Sequence, residues 1–421
     1  MAMPQKKAKK PWMVLIALVL AVFVGSIIDQ QTRLLGINLY NLFDLGGKLF
    51  INALTLVVVP LVTSSIIIGM AQIATESQFG RLGFKMFGFF ILTNLIGILI
   101  GVCIGNLVEP GAGVISTITQ LKPPEGIQGS GMISNLILEV IPPNILAAFA
   151  KGNMLGLIFF SLLFGYAITR IARKNLQMHF QFWKGIFEAM LRIVHAIMYL
   201  LPIGVFCLAT KIFADAGLET LKPLGHFIWA SLLGFILFAF VAMPFLLKFI
   251  AGVPVINYYR AISPAIVTAF STASSSAALP ISLECMEERA GISNRICSLV
   301  IPLGTSINLS GTALYNALAG LFIAQVFGIE LSFADQIVYI FVALFISFGV
   351  AGIPGGGLIA ILTLLRIMGL PLEGLGLVAA LDRILDMFRT TTNLFSYTTC
   401  ATLIAKSEGE KFVLSKKAYD V

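Results

Sequence analysis

Residues 51–70 and 86–108 each run about the width of a bilayer without an acidic or basic side chain. A helix needs roughly 20 apolar residues to cross hydrocarbon, where a backbone must satisfy its own hydrogen bonds. The runs at 12–28 and 227–249 are of the same kind, with Lys248 near the end of the last. The 421 residues are 58% hydrophobic and 11% charged. A soluble domain carries about 25% charge, so this chain cannot cover a water-facing surface. These features dictate an all-α polytopic membrane protein whose outer face is solvated by lipid. No small-residue cleavage site closes the first apolar run, so it is expected to stay as the first helix.

The net charge of +8 would suggest a nucleic-acid partner in a soluble chain. Here the bases sit at the ends of apolar runs. Lys6, Lys7, Lys9 and Lys10 precede the first, Arg170, Arg173 and Lys174 form a second cluster, and Lys411, Lys416 and Lys417 a third. Other connections are acidic or neutral: Glu109 with Glu125, Asp215 with Glu219, Glu330 with Asp335, and Glu373. This is the positive-inside distribution, not a nucleic-acid footprint. It places both termini in the cytoplasm of a multi-pass protein of the cell membrane. Cys103, Cys207, Cys285, Cys297 and Cys400 are scattered with no C-x-x-C pair, and His179, His195 and His226 have no metal-ligand spacing. No metal cluster and no nucleophile–base pair points to an enzyme.

Spans are expected near 12–30, 45–73, 82–108, 133–172 (broken at Pro142-Pro143 and at 151–153), 183–213 and 224–250, with an exposed loop at 109–131. The second half differs. The stretch 257–290 is broken by the small residues of 271–280, and 334–372 by the glycines and proline of 349–357. Such breaks free backbone groups that lipid cannot satisfy, so each must be covered by protein or line a cavity. Two re-entrant hairpins meet that need. Each is followed by a span with polar residues at mid-depth, 304–312 and 382–393. Broken segments at matching places in two repeats mark a transporter's binding site, and two gating hairpins argue against a continuous channel pore.

Asp382, Asp386, Arg389, Asn393 and Tyr397 are spaced by 4, 3, 4 and 4, which puts them in one stripe of a helix. A charge at the bilayer centre costs at least about 2.5–3.5 kcal/mol and needs a partner. Asp386 suits an ammonium group, and the planar fork of Arg389 suits a carboxylate. A self-satisfied Asp386–Arg389 pair is the structural alternative. The serine run offers hydroxyls and free backbone donors to a second carboxylate. Asn308 and the carbonyls of an unwound 304–311 segment offer oxygen ligands to a small cation, with Gly311 letting the backbone leave helical geometry.

The motifs Ser-Ser-Ser-Ala-Ala-Leu-Pro, Asn-Leu-Ser-Gly-Thr-Ala-Leu-Tyr, Gly-Ile-Pro-Gly-Gly-Gly and Leu-Asp-Met-Phe-Arg-Thr-Thr-Thr-Asn resemble those of the dicarboxylate/amino acid:cation symporter family. The resemblance implies eight transmembrane helices, two re-entrant hairpins, inverted repeats and a homotrimer in which a transport domain moves like an elevator against a scaffold. Residues 1–250 would hold the scaffold and part of the transport domain, 251–406 the core transport domain, and 407–421 a cytoplasmic tail. It implies an acidic amino acid substrate bound by Ser275 and Ser276 with Asn393 at the α-carboxylate. Asp386 and Thr390 would hold the amino group, and Arg389 and Thr312 the side-chain carboxylate. Ile353 and Gly357 would belong to a gate.

The family's cation sites map onto Thr93, Asn94, Gly304, Asn308 and Asn393, with a carbonyl set at Ser306, Ser347, Phe348 and Val350. Two aspartates that serve the first group in the family are replaced by Ser310 and Tyr397, and a glutamate of animal relatives by Asn316. The resemblance thus implies no prosthetic group, with sodium at altered stoichiometry or protons as the coupling ion. A C4-dicarboxylate symporter of the same fold is the second expectation, and Asp386 separates the two, because a carboxylate is unwelcome beside a substrate lacking an amine.

Overall fold

The computed structural model describes residues 12–29, 31–34, 36–74, 79–112, 140–151, 153–216, 221–349 and 356–410. Most of the expected exposed loop at 109–131 and the basic residues of both termini lie outside them, as do Val350 and Ile353.

The described chain is helical except for one short hairpin, β1 (Arg33–Leu34) paired antiparallel with β2 (Ile37–Asn38). It joins α1 (Trp12–Ile27) to α2 (Leu39–Ala74). Then follow α3 (Phe79–Val108), α4 (Ile145–Lys151), α5 (Met154–Ile168), α6 (Arg173–Tyr199), α7 (Leu201–Ala216) and α8 (Leu221–Leu237). The last continues through two π-type segments, Phe238–Ala242 and Leu246–Ala251. The second half comprises α9 (Val255–Thr272), α10 (Ser275–Glu284), α11 (Asn294–Ile307), α12 (Ser310–Val326), α13 (Phe333–Gly349), α14 (Gly356–Ile367) and α15 (Leu375–Ser407).

Four stretches are long and apolar enough to cross a membrane by themselves: Leu39–Ala71, Arg81–Val108, Lys222–Ala251 and Asn294–Val326. Large apolar side chains such as Leu56, Phe84, Trp229 and Val267 are exposed along these and neighbouring helices, as lipid-facing surfaces require. The protein is a multi-pass membrane protein.

Two packing groups are evident. Helices α1, α2, α5, α6 and α7 pack on one another, while α3, α8, α9, α11 and α12 gather round α15 and α13 packs on α3 and α12; α7 also meets α15. The seam between α3 and α12 is set by Gly97, Gly101 and Gly105. A Cβ at Gly97 would lie 2.6 Å from the Ser310 carbonyl oxygen, and one at Gly101 2.5 Å from that of Leu314. Small residues every fourth position let two backbones close in where no hydrophobic force drives helices together.

The expected span at 183–213 is corrected. The chain breaks between α6 and α7, and the two helices meet at 56°. Pro202 in the first turn of α7 explains it, because proline is tolerated there but not in a helix interior. The first hairpin break falls at Ala273, which is left-handed (φ 48°), and at Ser274, not at Pro280, which lies inside α10. The expected unwound segment 304–311 shrinks to Asn308 and Leu309, between α11 and α12. Gly311 therefore keeps helical geometry, and its missing side chain serves packing. A Cβ there would lie 2.5 Å from the Arg389 carbonyl oxygen and 2.7 Å from Thr392 Cβ.

Candidate functional site

Helix α15 is buried over most of its length, apart from a face at Arg383, Ile384, Met387, Phe388 and Thr391. Asp382, Asp386, Thr390 and Asn393 are each 4% exposed and Arg389 is 2% exposed. The stripe read from the spacing thus points inward. Arg389 Nη1 donates to Asp382 Oδ1 at 2.8 Å, and Nη2 and Nε donate to Asp386 Oδ1 at 2.6 and 3.1 Å. The Tyr315 ring of α12 lies against the guanidinium, its centroid 5.0 Å from Cζ. On α14, a Cβ at Gly357 would overlap Nη1. The pairing with Asp386 was foreseeable as an i,i+3 contact. The engagement of Asp382, two turns away, was not.

Asn393 links α15 to the start of α12. Its Oδ1 accepts from the backbone N–H groups of Gly311 (2.8 Å) and Thr312 (3.1 Å), and its Nδ2 donates to Thr312 Oγ1 at 3.3 Å. The first N–H groups of a helix have no acceptor within it, so Asn393 caps α12 from a neighbouring helix. In the first hairpin the Ser274 hydroxyl accepts from Ala277 N at 3.3 Å as the N-cap of α10. The N–H groups of Ser275 and Ser276 precede the first bond within that helix; Ser275 is buried and Ser276 exposed.

Beside this site lies a neutral polar cluster. Ser310 Oγ sits 2.9 Å from Asn94 Oδ1, 3.1 Å from Asn308 Oδ1 and 2.7 Å from Ser396 Oγ. Thr93 Oγ1 is 3.0 Å from Asn308 Oδ1, and Asn308 Nδ2 donates to Cys400 Sγ at 3.3 Å. All of these residues are fully buried. Asn94 Nδ2 is left without an acceptor. Ser396 and Cys400 were not singled out from the sequence, although they continue the face of Asn393 one and two turns on. Among the described residues no group of His, Cys, Asp and Glu could hold a metal ion.

The order of these buried motifs is matched along nearly the whole chain: residues 11–407 match the sodium:dicarboxylate symporter family. The chain belongs to that family. It is 34% identical over 405 residues to the "Proton/glutamate-aspartate symporter" of Escherichia coli, covering 94% of this chain and 92% of that one. It is 32% identical over 412 residues to a "Proton/sodium-glutamate symport protein" of Geobacillus stearothermophilus, covering 96% of both. It is 33% identical over 405 residues to the "C4-dicarboxylate transport protein" of Bacillus subtilis, covering 94% of this chain and 93% of that one.

Sodium, the ion in the family's name, can be tested against this symporter's donor atoms. The cluster around Ser310 supplies only neutral oxygens. At the other replaced position Tyr397 is fully buried, its hydroxyl 3.3 Å from Ser282 Oγ, and a Cβ at Gly304 would overlap its own Cβ. A bulky ring and a donor set without a carboxylate fit sodium poorly, since a buried ion needs a counter-charge. The carbonyl set differs. Ser306 lies in the last turn of α11, and Ser347 and Phe348 in the last turn of α13. Carbonyls there lack intrahelical donors and carry the negative end of the helix dipole, which suits a monovalent cation.

Proposed function

We propose that this chain is a secondary active symporter that carries acidic amino acids, glutamate or aspartate, across the cell membrane together with a cation. The observation that carries this reading is Arg389. It is a buried guanidinium beside two carboxylates, on the inward face of a membrane-embedded helix. An ion cluster of that kind inside a membrane domain is retained for binding. The Arg389 fork and Thr312 would take the side-chain carboxylate. Asp386 and Thr390 would take the amino group. The N–H groups of Ser275 and Ser276 at the start of α10 would take the α-carboxylate, with Asn393 holding α12 in place beside them. Gly357, with Ile353 before it, would belong to the gating hairpin formed by α13 and α14.

The two packing groups support an elevator arrangement. In it α1, α2 and α4–α7 form a trimerising scaffold and α3 and α8–α15 a moving transport domain, within a protomer of eight transmembrane helices and two hairpins with both termini cytoplasmic. The coupling ion is a proton, or sodium held by the carbonyls of Ser306, Ser347, Phe348 and Val350. The other donor group, Thr93, Asn94, Gly304, Asn308 and Asn393, would stay neutral. No chemical transformation of the substrate belongs to this function. Asp386 favours an amine-bearing substrate over the C4-dicarboxylates named for the Bacillus subtilis relative.

Uptake by purified protein in separate vesicle preparations with imposed sodium, proton or no gradients tests the reading. Accumulation of glutamate or aspartate under an imposed cation gradient is expected. Preference for succinate over both amino acids would sink it.

A further inference from the structure

Each nitrogen of Arg389 donates to an aspartate, Nη1 to Asp382 and Nη2 and Nε to Asp386, which leaves one N–H on each Nη outside these bonds. Gly357 closes in on Nη1, so the head has no open side there. A substrate carboxylate that takes the Nη1–H now bonded to Asp382 requires that aspartate to yield it. Asp386 holds two nitrogens from the adjacent turn, whereas Asp382 holds Nη1 alone from two turns away.

The charge balance points the same way. Asp382, Asp386 and Arg389 sum to −1, and an acidic amino acid carrying two carboxylates and one ammonium brings another −1. The cluster of Thr93, Asn94, Asn308, Ser310 and Ser396 contributes no compensating charge. Uncompensated charge in a membrane interior is strongly disfavoured. The charged and titratable groups that face Asp382 are Arg389, Asp386 and Arg383 of its own helix and Tyr315 of α12. From α14 comes Gly357, which carries none.

Resting on the reading that Arg389 receives the substrate's side-chain carboxylate, we propose that Asp382 is the proton-carrying residue of this symporter. The Nη1–H bond to Asp382 Oδ1 breaks and one to the substrate carboxylate forms. Asp382 then takes a proton from water, which returns the site to its charge before binding. The new O–H can donate to the substrate oxygen that displaced it. On release the steps reverse and the proton leaves with the substrate.

The test uses the full chain in detergent, with L-aspartate and L-glutamate as probes and a pH indicator in weak buffer. Wild type is expected to take up about one proton per substrate bound, its affinity weakening by up to about tenfold per pH unit as pH rises. Asp382→Asn is expected to bind without proton uptake and with a flat pH profile. Binding by wild type without proton uptake overturns the proposal, as does undiminished uptake by Asp382→Asn. If Asp382→Asn binds nothing, infrared difference spectra decide. A protonated-carboxyl band that appears on binding and is shifted by Asp382→Glu supports the proposal; a band that is absent or unmoved overturns it. Failure of the wild type to bind either amino acid at any pH overturns the substrate reading of Arg389 itself, an outcome distinct from binding without protons.

Discussion

Asp382 Oδ1 accepts a hydrogen bond from Arg389 Nη1 at 2.8 Å across two turns of one helix. With Asp386 on the intervening turn, two carboxylates share one guanidinium on the buried face of one helix. Removing one member of such a set leaves the others charged and unpaired, which is costlier than never having buried them.

Arg389→Ala should therefore destabilise the transporter by about 3–5 kcal/mol. Adding Asp382→Asn should restore part of that loss, because one orphaned charge disappears. Thermal unfolding of the single and double variants in detergent measures the coupling; strictly additive effects would contradict a shared ion cluster.

Gly357→Ala places a methyl group on the Arg389 guanidinium. Overpacking of this kind costs about 1–3 kcal/mol, so uptake of acidic substrate should fall by about tenfold, the equivalent of 1.4 kcal/mol. The effect should be on substrate affinity more than on protein yield, and saturation curves for uptake separate the two.

Ser310→Asp adds a carboxylate to a neutral cluster built from Thr93, Asn94, Asn308 and Ser396. The gain in melting temperature on exchanging choline chloride for sodium chloride is expected to be larger for the variant than for wild type. The variant should be less stable in choline and be rescued by sodium. A wild-type protein with steep, cooperative sodium dependence of substrate binding would refute the account of this cluster.

At the end of α15, Glu408 receives Lys85 Nζ at 2.6 Å and Arg81 Nη2 at 3.1 Å, and Lys85 also caps the Ser407 carbonyl at 3.0 Å. The Lys85 and Arg81 hydrogen bonds hold the Glu408 carboxyl below the usual carboxylate range. A carboxylate lowered in the folded state stabilises it above the unfolded value, about 4.3 for Glu, and that contribution is lost on acidification below it. Melting temperature should fall on acidification from pH 5 to pH 3, and less so in Glu408→Gln; equal slopes would contradict the clasp.

Much of this site was legible in the sequence. The i, i+3 and i+4 spacing on α15 fixes a stripe whatever surrounds it, and small residues in an apolar stretch locate the turn at Ala273 and Ser274. What the sequence could not show is which buried groups meet across helices or over two turns. Asp382 reaches Arg389 only because the arginine extends along the helix, and Ser396 and Cys400 enter the neutral cluster only because Gly97 and Gly101 draw α3 against α12. Asp44, placed between Lys48 and Lys211 of α2 and α7, is another such case. In one instance a residue type misled. Gly311 suggested a backbone leaving the helix, but its role is the close approach of α15.

The central claim is that Arg389 holds an acidic amino acid for transport. Its most direct test is uptake of radiolabelled glutamate and aspartate by proteoliposomes containing wild type, Arg389→Lys or Arg389→Ala at matched protein content. Wild type should accumulate both substrates, the lysine variant little, and the alanine variant neither. Unchanged uptake by Arg389→Ala would contradict the account.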